Sequence, residues 1–116
     1  MYLVIHSYSR ISLILLVMTI SGRKISLIQD YFKDKPVLKA YIFGSFARGD
    51  ANDESDYDIL VELDYTQRIG LEYIQMQLDL TSLLEGKVDL VSDKALSRHI
   101  RPFVDKEKLL IYERSA

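Results

Sequence analysis

The sequence predicts an α/β domain with one small mixed sheet flanked by helices, and three observations carry that expectation. Three short runs rich in strand-forming residues recur along the chain: 37–43 (VLKAYIF), 57–63 (YDILVEL) and 87–92 (KVDLVS). Their β-branched and aromatic side chains suit a pleated, buried surface. Stretches with helical periodicity alternate with them, the pattern of a layered helix-and-sheet domain. The chain has 116 residues and no cysteine. That length suffices to bury a core without a disulfide or structural metal, and the missing thiols exclude a cysteine nucleophile and a thiolate zinc site.

Taken in order, residues 24–34 place Ile25, Ile28 and Phe32 at helical spacing, with Ser21 or Gly22 as the cap. Pro36 ends that region because the residue before a proline avoids the helical basin. Strand 37–43 follows, then a loop over 44–55 containing a short helix at Phe46–Arg48, then strand 57–63. The spacing of Ile69, Tyr73, Met76, Leu80 and Leu83/Leu84 predicts a helix over 68–85 with Gly86 at its C-terminal cap. Strand 87–92 is followed by a helical region over 94–108, broken at Pro102, which suits the first turn of a new helix. Residues 109–113 add a final strand.

Residues 1–20 differ from the rest: one charge, Arg10, and an apolar run from Ile11 to Ile20. Ser7, Ser9, Arg10 and Ser12 interrupt a transmembrane reading, and no A-x-A cleavage site follows the apolar stretch. The favoured reading makes 1–17 an upstream extension with Met18 as the true start, leaving 18–116 as the domain. An added N-terminal element, or export and anchoring, are the other readings. Membrane contact is not expected and the expected location is cytoplasmic. Lys+Arg is 15 against Asp+Glu 17, a net charge of -2, so bulk charge does not make this chain a DNA binder.

Residues 43–63 (FGSFARGDANDESDYDILVEL) carry the chemistry. Gly44 after a strand permits close backbone approach. The N–H groups opening the short helix, with the Ser45 hydroxyl, form a cradle for phosphate. Arg48 stands one turn on, suited to a phosphate oxygen, and Gly49 ends the helix. Asp56 and Asp58 point to one face of a strand, about 6–7 Å apart along it. Their repulsion is relieved by a divalent cation, and oxygen ligands beside phosphate suit Mg²⁺ or Mn²⁺. Asp89 is a lone carboxylate in the third apolar strand, costly there unless paired or metal-bound. Three acids on adjacent strands beside a phosphate cradle describe a two-metal phosphoryl-transfer site.

The pattern G-S-x10-D-x-D after an apolar strand resembles the nucleotidyltransferase superfamily related to DNA polymerase beta, with Gly44, Ser45, Asp56 and Asp58 at its motif positions and Asp89 at the third carboxylate. The short chain is similar to the minimal nucleotidyltransferases, antitoxins encoded beside HEPN ribonuclease toxins. The resemblance covers residues 24–113. It implies a polymerase beta-like fold, ATP held by Gly44, Ser45 and Arg48, two Mg²⁺ ions held by Asp56, Asp58 and Asp89, and a partner HEPN toxin from a neighbouring gene. It further implies AMP transfer to a hydroxyl of that toxin, a tyrosine in such systems, which neutralises it.

Plainer roles stand beside these. Arg48 has Asp50 and Glu54 as salt-bridge partners, and Asp89 has Lys87 and Lys39. Asp50, Asp53 and Glu54 read as solvated acids, and Glu62 shares the face of Asp56 and Asp58. Lys94, Arg98, His99 and Arg101 read as a charged helix face. Two other functions remain: an antitoxin that neutralises by stoichiometric binding, and nucleotidyl transfer to a small molecule, which the short chain disfavours.

Overall fold

Ser21 caps the first helix by accepting the Lys24 N–H at 3.2 Å. That helix, α1 (Gly22–Phe32), buries Ile25, Ile28, Gln29 and Phe32 on one face. The structure is a computed structural model that describes residues 20–115; the extension expected over 1–17 lies outside the described residues. Strand β1 (Val37–Phe43) leads into a single helical turn, α2 (Ser45–Arg48), and β2 (Tyr57–Leu63) follows. Helix α3 (Glu72–Leu84), strand β3 (Val88–Ser92), a 3-10 turn (Asp93–Ala95), helix α4 (Arg101–Glu107) and strand β4 (Leu109–Glu113) complete the order. Pro102 stands in the first turn of α4.

The sheet is mixed, in the order β3-β2-β1-β4. Strand β1 is antiparallel to both β2 and β4, while β2 and β3 run parallel. Alternation sorts each strand's side chains between two faces. Tyr57, Ile59, Val61 and Leu63 of β2, with Val88 and Leu90 of β3, join the buried cluster that includes Ile28, Phe32, Met76, Leu80 and Leu84 of the helices. The opposite face of β2 carries Asp58, Leu60 and Glu62. Leu60 and Val104 of α4 are both buried.

Two helices differ from the sequence expectation. The one expected over 68–85 starts only at Glu72, because Gly70 takes a left-handed φ of 43° and Ile69 closes a turn onto the Glu72 N–H at 2.9 Å. Its left-handed cap is Glu85 (φ 54°), not Gly86. Gly86 serves packing instead: a Cβ there would stand 3.1 Å from the Tyr57 ring. The helix expected over 94–108 is cut to the 3-10 turn and α4.

Candidate active site

The site lies where β1 ends. Gly44 turns the chain with φ 72° and ψ -151°, a region that favours glycine. A Cβ on Gly44 would fall 2.1 Å from Asp58 Oδ2, so the absence of a side chain lets the backbone lie against that carboxylate. The Gly44 carbonyl then accepts the Ala47 and Arg48 N–H groups at 3.1 and 3.0 Å. Gly49, at φ 85°, closes the turn by donating its N–H to the Ser45 carbonyl at 3.0 Å. The N–H groups of Ser45 and Phe46, which open α2, meet no acceptor among the described residues. The Phe46 ring stacks on Tyr57, centroids 4.3 Å apart and planes 13° apart, which fixes the turn against β2.

Asp58 and Asp89 are register partners in the parallel β2–β3 ladder. Residues paired in this way project from the same face of the sheet. Their neighbours Tyr57, Ile59, Val88 and Leu90 belong to the helix-packed core, so both carboxylates lie on the other face. Burial, followed by the charges of Asp89 and Asp56, pushes the Asp58 carboxyl up to about 6, with Arg48 opposing and Glu107 adding to the rise. Asp58 therefore feels the charges of both Asp56 and Asp89. Asp56 leans toward Lys87, Oδ2 to Nζ 3.5 Å. Among the described residues no three acidic or imidazole side chains stand close enough to form a complete metal cage. Carboxylate oxygens are nonetheless the donor type that suits a hard divalent cation. Asp56, Asp58 and Asp89 are all carboxylates, and phosphate oxygens are natural co-ligands of such cations.

The other candidates divide cleanly. Arg48 makes the expected ion pair with Asp50, Nε to Oδ2 3.2 Å, and a second one with Glu107, Nη1 to Oε2 3.2 Å. Asp89 pairs with neither of its candidate lysines: Lys87 goes to Asp56, and Lys39 to Glu113. Glu62 does not join the site. It stands across the ladder from Lys39, whereas Asp58 faces Phe43, and it accepts the Tyr41 hydroxyl at 2.8 Å. Asp53 and Glu54 are exposed, as expected of solvated acids. Arg101 is bound to Asp93 at 3.0 Å, Lys94 lies over the Tyr65 ring, and Arg98 and His99 face solvent. Beside Asp56 a cleft of about 510 Å³ opens, bounded by Lys24, Phe46, Asp56, Tyr57, Gly86 and Lys87. Sequence reasoning passed over Glu107, whose Oε1 accepts the Gly44 N–H at 3.0 Å. No local pattern announces that contact.

The Gly44 turn thus lies against Asp58, whose register partner on β3 is Asp89, with Asp56 just before β2. The model of the Polymerase beta, Nucleotidyltransferase family matches residues 26–116, and the chain belongs to that family. A Methanocaldococcus jannaschii protein provisionally named a protein adenylyltransferase is 37% identical over 89 residues, covering 74% of this chain and 83% of that one. Among solved structures, a toxin–antitoxin complex with AMP-PNP superposes with a TM-score of 0.64 at 25% identity, covering 83% of this chain and 76% of the other. A complex of a tri-AMPylated Shewanella oneidensis HEPN toxin with its MNT antitoxin gives 0.56 at 21% identity, over 85% and 72% of the two chains. At that identity the likeness is one of fold. Among the described residues no helix is long and apolar enough to cross a membrane.

Proposed function

We propose that this chain is an antitoxin that transfers AMP from ATP to a hydroxyl, a tyrosine, of a HEPN ribonuclease toxin encoded beside it. The observation that carries the reading is Asp58 set against the Gly44 turn, in register with Asp89 and within reach of the Asp56 charge. Family membership and the adenylyltransferase and toxin–antitoxin relatives support it. In this reading the Gly44–Ser45 turn receives the triphosphate on the open N–H groups of Ser45 and Phe46, the Gly44 N–H being held by Glu107, and Arg48 pairs with a phosphate oxygen. Asp56 and Asp58, with Asp89 on the acceptor side, would hold two Mg²⁺ ions or Mn²⁺. Such ions, when bound, neutralise the charge developing on the phosphate oxygens and lower the acceptor's pKa. The acceptor oxygen attacks the α-phosphorus in line with the bond to the β-phosphate oxygen, which breaks and releases pyrophosphate. Asp89 takes the hydroxyl proton. The AMP left on the toxin adds charge and bulk beside its ribonuclease site.

The test is transfer of label from ATP to the co-purified toxin with Mg²⁺. The double variant Asp56→Asn, Asp58→Asn is expected to lose roughly 10³-fold or more in rate, because charge stabilisation in the transition state is lost. Unlabelled toxin, or equal labelling by the variant, would refute the reading. Full rescue of cell growth by the inactive variant would favour neutralisation by binding alone.

A further inference from the structure

Glu107 is the last residue of α4. An acid at that position opposes the helix dipole, so the preferences of the helix do not account for it. Among the described residues, all of its side-chain hydrogen bonds reach back to the Gly44 turn. Oε1 accepts the Gly44 N–H at 3.0 Å, and both carboxylate oxygens accept Arg48 Nη1, at 3.4 and 3.2 Å. Its side chain is three-quarters buried while that of Arg48 is half exposed. Asp50 engages the same guanidinium through Nε at 3.2 Å, so Arg48 is held by two anions on different atoms. A further negative charge beside Asp58 is unfavourable in a site meant for a polyanion unless it is matched locally. Here the Gly44 amide and Arg48 match it.

We propose that Glu107 is a positioning residue for the nucleotide: from the end of α4 it fixes the Gly44 turn and aims Arg48 at the triphosphate. The inference rests on the transferase reading and deepens it. It also gives α4 a task beyond burying its own Val104, since the helix becomes the fixed support of a turn only one helical turn long.

Two variants separate the contacts. Glu107→Gln keeps an oxygen for the Gly44 amide but sets an N–H₂ group or a neutral oxygen against Arg48. Glu107→Ala removes both contacts. Magnesium–ATP affinity of the full chain is measured by calorimetry, and KM for ATP and kcat by label transfer to the toxin. Glu107→Ala is expected to weaken ATP binding about 10- to 100-fold, the usual range for a charge-assisted hydrogen bond. Glu107→Gln is expected to fall between it and the unaltered chain, with the change in KM exceeding that in kcat. Should Glu107→Ala fail to fold, Glu107→Gln alone decides. Unchanged affinity in the folded variants would overturn the inference while leaving the transferase reading intact. Tighter binding by Glu107→Ala would also overturn it, because Glu107 would then be competing with phosphate for the turn. No ATP binding by the unaltered chain would overturn both.

Discussion

At Asp58, burial and the charges of Asp89 and Asp56 push the carboxyl up to about 6, above the usual carboxylate range. The folded chain therefore binds that proton more tightly than the unfolded chain. The sign follows: this group favours the fold most below about pH 4, and the benefit is lost as pH rises through about 6. Without metal at neutral pH, the ionised carboxylate is a liability that Asp58→Asn removes. In chelator, urea unfolding at pH 7.5 should find Asp58→Asn more stable than the parent by about 1–2 kcal/mol, a figure reduced from the full shift because solvent screens a half-buried group. At pH 4 the difference should vanish. Equal stability at both pH values would mean that neither burial nor the neighbouring acids disfavour the ionised carboxylate. Asp56 and Asp58 were legible in sequence because they border and enter an apolar strand, whereas Asp89, expected to be a costly buried carboxylate, is exposed on β3 and is linked to Asp58 by strand register. Glu107 was not legible, because its partner is the backbone of a residue 63 positions earlier.

At the scale of elements, the strands and α1 follow directly from their apolar patterns, whereas the ends of α3 do not. Periodicity counts Ile69 with Tyr73 and Met76, yet a residue in a turn packed against the same core can fall in phase with the helix after it. The C-terminal end misleads for a different reason. Gly86 resembles a left-handed cap, but the Tyr57 ring sits so close that Gly86 is needed for its missing Cβ, and the left-handed conformation moves one residue back to Glu85. A residue other than glycine or asparagine in that conformation is strained. Glu85→Gly should relieve the strain and raise stability by about 0.5–1 kcal/mol, after the entropy that glycine adds to the unfolded chain is subtracted. Chemical denaturation reads this directly. A loss of stability would mean that the Glu85 side chain contributes more than its backbone costs.

Across the whole molecule, the sheet order depends on β4 reaching the outer edge of β1, and one polar clasp ties that edge to the rest of the chain. Arg114, just beyond β4, donates through Nη1 to Asp64 Oδ2 at 2.7 Å and through Nη2 to the Lys35 carbonyl at 3.1 Å. Its N–H also bonds the Leu38 carbonyl at 2.9 Å, while the Asp64 N–H bonds the Pro36 carbonyl at 2.8 Å. The end of β2, the turn before β1 and the C-terminal strand thus meet at one guanidinium. Nothing local in the sequence marks this, since the partners stand 50 and 79 residues away. Hydrogen bonds from Thr66 and then Arg114 hold the Asp64 carboxyl well below the usual carboxylate range. The sign is opposite to that at Asp58: the stabilisation is present above about pH 4 and is lost as the solution becomes strongly acidic. Arg114→Ala should lower the thermal midpoint by a few degrees at pH 7, and the gap from the parent should narrow as pH is brought toward 2. Because the clasp lies beyond the far ends of β1 and β2 from Gly44, ATP affinity at a temperature where both chains are folded should not change. A variant that loses ATP binding while keeping its midpoint would show that the edge strand and the Gly44 turn are coupled, contrary to the separation of the two ends of the sheet.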